Sequence, residues 1–342
     1  MTMRKNRRNF VAILAAAGML VLILDLKLVL IGASEGIKLC LWTVIPSLFP
    51  FFVVSALISS NIGSHSNGFL RLIGKLCKIP AGSESILLTG FLGGYPIGAQ
   101  SIVNGYHNGV ISKKDATRML SFCNNAGPAF IFGMVSQQFE SAVAGWFLWL
   151  ITMLSAIFVA ISVPGVTASY NCMQRKKTVS FSQIMTNAIK SMANVCAWVV
   201  LFRIILILLQ KRIFKDQYYL LQSVLFGFLE LSNGIIQTTS ISVPHIRFVL
   251  CAVFLSAGGF CVAMQTYSTV TDLGIFTYIV GKVLQTAYSL LLSLSMLPFV
   301  FSDSRISISL LAAIICAILL LLTQVFKKCI AIYGKVLYNI KN

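Results

Sequence analysis

Ser85–Ser112 reads SILLTGFLGGYPIGAQSIVNGYHNGVIS, 28 residues without a charged side chain. That exceeds the roughly 20 apolar residues needed to cross a hydrocarbon core. Its centre is not a plain span, however. Gly93, Gly94, Pro96 and Gly98 fall within six residues and remove helix propensity and one backbone donor. In lipid, broken backbone survives only where protein or a water-filled cavity satisfies it. A broken helix turns helix-end N–H groups and carbonyls toward whatever lies there, which suits an anion or a polar solute. The competing reading is a tight helix crossing built on small residues. The polar residues that follow at once, Gln100, Ser101 and Asn104, favour a binding site that includes Gly93, Gly94 and Tyr95.

The rest of the chain has the same character. Of 342 residues, 27 are basic and 9 acidic, while 57% are hydrophobic. A soluble domain carries about a quarter charged residues, so the deficit decides the class. Further charge-free runs of span length are Leu39–Leu70, Met119–Phe139, Ser141–Gln174, Phe248–Thr271, Val283–Ser302 and Ile306–Phe326. Three weaker candidates each carry internal charge: Phe10–Ile31 with Asp25 and Lys27, Met185–Gln210 with Lys190 and Arg203, and Tyr218–Thr239 with Glu230. The expected fold is an all-α, polytopic integral membrane protein of about eight to nine transmembrane or re-entrant helices.

The net charge of +18 sits in short loops and at the ends: Arg4–Arg8, Arg71–Lys78, Lys113–Arg118, Arg175–Lys177 and Lys327–Lys328. That is the positive-inside pattern at an anionic leaflet, and it argues against a nucleic-acid partner. The N-terminal basic stretch and apolar run lack a small-residue cleavage site and read as an uncleaved span. The nine cysteines are scattered without a C-x-x-C pair, and His65, His107 and His245 lie far apart, so neither a metal site nor a cofactor is expected. No catalytic signature such as H-E-x-x-H, G-x-S-x-G or a P-loop occurs, and the chain does not read as an enzyme.

The chain contains an internal echo. Leu92–Gln100 (LGGYPIGAQ) and Ala257–Gln265 (AGGFCVAMQ) align without gaps at a spacing of 165, matching Gly93 with Gly258, Gly94 with Gly259, Tyr95 with Phe260 and Gln100 with Gln265, and beyond them Ser101 with Thr266. Upstream, Ile37-Lys38 before Trp42 and Ile189-Lys190 before Trp198 match at a spacing of 152. Two matches in one order point to a duplication. The expected organisation is an N-terminal anchor over 1–32, a first repeat over 33–170, a cytoplasmic basic loop over 171–182, a second repeat over 183–302, and a C-terminal helix and tail over 303–342. With Arg4–Arg8 and Arg175–Lys177 both cytoplasmic, the matching spans run in opposite directions. That predicts an inverted repeat with discontinuous helices, an architecture common in secondary transporters. Lys211, Arg212 and Lys215 fall on the outer side in this scheme, against the rule.

Two more places carry polar groups at membrane depth. In Phe122–Gly133 (FCNNAGPAFIFG), Asn124 and Asn125 precede a Gly127-Pro128 break and supply both donors and acceptors. The alternative is that they cap a helix at the interface. Glu230, followed by Ser232, Asn233 and Gly234, costs about 2.5–3.5 kcal/mol at the centre of a span and so marks a partner or a pathway. A solute, a coupling cation or proton, or a structural ion pair with Lys190 or Arg203 all fit. Gln237 lies seven residues on, on the same helical face. Asp272 is expected at an interface, and Asp25 and Lys27 at the end of the first span. The candidate solute-binding set is therefore Gly93, Gly94, Tyr95, Gln100, Ser101, Asn104, Asn124, Asn125, Glu230, Asn233, Gln265 and Thr266.

The run Gly90–Gly109, followed by Ile111–Lys114 and by Leu120–Gly133 with its Asn-Asn-x-Gly-Pro, resembles the sporulation integral membrane proteins of the YlbJ type. These belong with the nucleoside-recognition gate domain proteins, which are similar to concentrative nucleoside transporters. The likeness continues through Glu230 and Ala257–Gln265; the sequence differs from the family pattern at Gln100, where a basic residue is frequent. The resemblance implies a role in spore formation, moving dipicolinic acid across the outer forespore membrane, with the mother-cell or outer forespore membrane as its location. A carrier for nucleosides or another solute, coupled to H+ or Na+, and a non-transport membrane scaffold are the alternatives.

Overall fold

The computed structural model describes residues 2–61, 68–139, 141–164, 180–214, 219–301, 309–321 and 323. Arg175–Lys177, Lys215, Lys327 and Lys328 lie outside them, with most of the expected basic loop and tail. Among the described residues the chain is helix, turn and connecting segment, with no strand. Five helical stretches there are long and apolar enough to cross a membrane: Leu26–Val54, Ala142–Ser162, Phe181–Phe214, Pro244–Thr269 and Phe276–Val300. Their outer faces expose Trp42, Trp146, Ile189, Val283 and Phe299. A soluble monomer does not present such contiguous apolar surface, whereas lipid accepts it. The protein is a polytopic all-α membrane protein.

Helix α1 (Thr2–Leu24) is separated from α2 (Leu26–Leu39) by Asp25 alone. A π-helical turn, Cys40–Val44, carries α2 into α3 (Ile45–Asn61). The expected anchor over 1–32 and the first repeat from 33 are not separated by a loop, because α2 runs through that boundary. The count of crossings behind the expected orientation changes accordingly. Asp25 is ion-paired with Arg212 at the far end of the Phe181–Phe214 stretch. Arg212, expected on the outer side against the charge rule, thus has a carboxylate partner.

The remaining helices are α4 (Gly68–Leu76), α5 (Glu84–Leu92), α6 (Ile97–His107), α7 (Lys113–Met119), α8 (Pro128–Phe130), α9 (Ala142–Ser162), α10 (Phe181–Leu209), α11 (Tyr219–Leu229), α12 (Leu231–Gln237), α13 (Pro244–Ala257), α14 (Gly259–Thr269) and α15 (Phe276–Val300). Local chemistry sets their ends. Ser180 and Gln183 form a reciprocal capping box at the start of α10. Pro128 and Pro244 open α8 and α13, where a missing N–H costs nothing. Ser85–Ser112, the run quoted first, is a hairpin: α5 and α6 pack on each other around Gly93–Pro96. Tyr218–Thr239 contains a second hairpin, α11 and α12, with Glu230 at its tip.

The two halves follow one element order. Each has a long span (α2–α3; α10), a hairpin (α5/α6; α11/α12), an interrupted span (α7, an unwound stretch, then α8; α13, Gly258, then α14) and a closing span (α9; α15). Their packing is reciprocal: α2 lies on α10 and α9 on α15, α8 packs on α3 as α14 packs on α10, and α13 packs on α9 as α7 packs on α15. In this register Gly93–Pro96 corresponds to Glu230, and Asn124–Gly127 corresponds to Gly258–Gly259. The expected pairing of Gly93-Gly94-Tyr95 with Gly258-Gly259-Phe260 therefore joins a hairpin tip to a break inside a span. Gly94, Gly258 and Gly259 all have φ between +73° and +78°, so the shared glycines mark a shared backbone need at unlike places.

Candidate functional site

The first hairpin sits astride the unwound stretch between α7 and α8. A Cβ on Gly90 or Gly98 would lie 2.0 or 2.2 Å from the Cys123 carbonyl oxygen, and one on Gly94 3.0 Å from the Gly127 nitrogen. These glycines let two backbones touch, the small-residue crossing that was the competing reading of this motif. Asn124 and Asn125, both fully buried, fasten the arrangement. Asn124 Oδ1 accepts from the Ala99 N–H at 3.3 Å in the first turn of α6, and its Nδ2 donates to Thr266 Oγ1 at 2.9 Å on α14. Asn125 Nδ2 donates to the Phe122 carbonyl at 2.7 Å, while its Oδ1 accepts from Gln285 Nε2 at 2.9 Å and from Lys282 Nζ at 3.3 Å.

The second hairpin is closed differently. Glu230 is the N-cap of α12, its carboxylate accepting from the Ser232 and Asn233 backbone N–H groups and from Asn233 Nδ2. Asn233 Oδ1 accepts from Arg203 Nη1 at 2.6 Å, and Arg203 is ion-paired with Glu35 at 2.6 Å. Arg203 thus reaches Glu230 only through Asn233. Gln237, expected on a shared face with Glu230, closes the short helix that Glu230 caps.

Both tips meet in one small open cleft, with a cavity volume of about 40 Å³. Each half supplies a matching part of the wall. Val44 and Leu48 come from the first long span and Val195 and Val199 from α10; Gly94 and Tyr95 from one tip and Glu230, Leu231 and Ser232 from the other; Ala126, Gly127 and Phe130 from one interrupted span and Val262 and Gln265 from the other. Most of this wall is apolar. Its polar residues are Tyr95, Glu230, Ser232 and Gln265, and Glu230 is its one acidic residue. Apolar walls with a few placed polar groups are the usual make-up of small-ligand sites.

Of the residues singled out from the sequence, Gly94, Tyr95, Glu230 and Gln265 line the cleft. Gly93, Asn124, Asn125, Asn233 and Thr266 stand behind it as buried supports. Gln100 accepts from Ser191 Oγ on α10 at 3.1 Å, Ser101 is half-buried on α6, and Asn104 is exposed. Asp272 is exposed and pairs with His107 at 2.9 Å, joining the far end of the first hairpin to the segment after α14.

The sequence reading missed Lys282. It is buried on α15, and its ammonium donates to Gln285 Oε1 at 2.8 Å, Tyr95 Oη at 3.1 Å and Asn125 Oδ1 at 3.3 Å. Its position at the edge of a charge-free run hid it. The available signal was periodic: Tyr278, Lys282, Gln285, Ser289 and Ser293 recur at helical spacing, and all are buried.

Paired hairpins and interrupted spans around a shared open cleft describe a polytopic all-α integral membrane protein. Over 168 residues, 45% of this chain and 38% of the relative, it is 30% identical to the Sporulation integral membrane protein YlbJ of Bacillus subtilis (strain 168). The likeness to the YlbJ type read from the two Gly-Pro elements is shown by that match, which spans well under two thirds of the relative's length. No family model matches the chain, and no solved structure matches it.

Proposed function

We propose that the chain is a carrier, rather than an enzyme, for a small polar solute in the membrane of a spore-forming cell. The observation that supports this best is the cleft itself: two hairpin tips and two interrupted spans, one of each from either half, converge on it. Two halves that rock about such a site give alternating access. Resemblance to the YlbJ type points to dipicolinic acid as the solute and to the mother-cell or outer forespore membrane as the location. One feature favours a second solute class. The cleft's single acidic side chain, Glu230, is an acceptor and suits a neutral, donor-rich solute such as a nucleoside better than a dianion.

Reconstituted protein loaded with unlabelled solute and exposed to labelled solute tests this directly. Exchange of dipicolinate, competed by excess dipicolinate and unaffected by uridine, selects the dipicolinate reading; the reverse pattern selects the nucleoside reading. Protein that exchanges neither overturns the carrier reading. In the cell, a deletion strain with normal spore dipicolinate would remove dipicolinate as the solute.

A further inference from the structure

Lys282 is a buried cation that no part of the solute cleft requires: it does not line the cleft, and it stands behind Tyr95, which does. An ammonium has three N–H donors, and three acceptors surround this one. All three are neutral oxygens, and among the described residues no carboxylate pairs with it. The rings of Tyr95 and Tyr278 lie 5.1 and 5.8 Å from Nζ. The titratable groups that face it are those two phenols, one on the first hairpin and one on its own helix, and the Cys123 thiol of the unwound stretch. Of the other helices packed on α15, α9 carries no charged residue, and the titratable side chains of α13 and α7 make their contacts elsewhere: Arg247 on the Gln138 and Ile241 carbonyls, His245 on the Phe301 ring, Arg118 on the Lys78, Cys77 and Ala160 carbonyls, and the buried Asp115 on Ser112, while Lys113 and Lys114 are exposed.

The donor directions around Lys282 are settled by its neighbours. Tyr95 Oη accepts from Lys282 and donates onward to the Leu255 carbonyl at 3.2 Å. Asn125 Oδ1 also accepts from Gln285, whose Nε2 reaches the Thr152 carbonyl as well. The arrangement is complete only when Lys282 carries its proton. A neutral amine has two N–H groups and a lone pair, and the lone pair would face one of three oxygens that are already acceptors. Two of the three bonds, to Tyr95 and Asn125, tie α15 to the first hairpin tip and to the unwound stretch beneath it, so proton loss removes one donor from a set that is mostly inter-helical. Both parts line the cleft, the tip with Gly94 and Tyr95 and the unwound stretch with Ala126 and Gly127.

We propose that Lys282 is a proton-binding site that couples proton movement to opening of the first hairpin, so that the carrier is driven by a proton gradient. The step forms or breaks a single N–H bond: the amine takes a proton from the aqueous side on which the tip is open and returns it on the other side. This inference rests on the carrier reading above and specifies its coupling ion.

The test compares wild type with Lys282→Met and Lys282→Arg in proteoliposomes, using dipicolinate and, in parallel, uridine. Under a pH difference, wild type is expected to accumulate its solute, with a limit of about tenfold per pH unit for one proton per solute. Both variants are expected to keep exchange without a gradient and to lose the accumulation. Accumulation by Lys282→Met equal to wild type, or wild-type accumulation indifferent to the pH difference, overturns the proposal. Absence of exchange by wild type is a different result, the failure of the carrier reading. In that event hydrogen exchange of the Gly93–Gly98 amides still decides whether Lys282 binds a proton that holds the tip. Wild-type protection relative to Lys282→Met should fall as pH rises, and an unchanging ratio overturns the proposal.

Discussion

The two hairpin tips occupy matching places in the two halves and are built from opposite materials. The first has no charged residue and is held from outside: Gly94 rests on Gly127, and Tyr95 is tied to Lys282 and Leu255 across to the second half. The second carries a carboxylate and is held from within, Glu230 satisfying the first N–H groups of its own short helix. One tip is fastened by its neighbours alone, while the other, though also bonded to Arg203 through Asn233, satisfies its own first N–H groups as well. An externally fastened tip can be released by a change elsewhere; a self-capped one keeps its shape while its surroundings shift. The first hairpin is the better placed of the two to act as a gate.

The sharpest way to break the comparison is at the crossing. Gly98→Ala drives a methyl group toward the Cys123 carbonyl at 2.2 Å, where backbone must yield. A loss of about 3 kcal/mol is expected, at the upper end of the usual overpacking cost, read as a large drop in melting temperature in detergent or in folded yield. Glu230→Ala should cost less, about 1–2 kcal/mol, the usual worth of an N-cap. Solute exchange is nonetheless expected to vanish while the protein stays in the membrane. Unchanged exchange in that variant would take Glu230 out of the site. Asn233→Ala removes both the Nδ2 donor to Glu230 and the acceptor for Arg203, and about 1 kcal/mol is expected from a thermal melt. Glu35→Gln, whose carboxylate is 44% exposed, should change stability by well under about 1 kcal/mol, since solvent screens the pair. A larger loss would show that the second tip also leans on the long span of the first half.

Much of this architecture was legible in the sequence. Charge depletion fixed the class, and Gly93–Pro96, Asn124–Pro128 and Glu230 marked three of the four places where helices stop short. The fourth, Gly258–Gly259, was noticed and given the wrong counterpart. Gly-Gly before an aromatic records that backbone turns with positive φ, and a hairpin tip needs this as much as a mid-span break does. Element order and packing, which the letters do not carry, set the register instead. Asn124 and Asn125 drew notice as costly polar groups, but their partners Thr266, Gln285 and Lys282 lie more than 140 residues away, beyond the reach of local pattern. Lys282 itself was passed over because it stands just outside the charge-free run Val283–Ser302.

The contact between Gly94 and Gly127 is main chain against main chain. Such a seat offers natural selection no side chain to vary, whereas Val44, Leu48, Val195 and Val199 across the cleft are four aliphatic positions open to exchange. Descendants of a common ancestor should then vary at those valines and that leucine, and inherit the glycine seat unaltered.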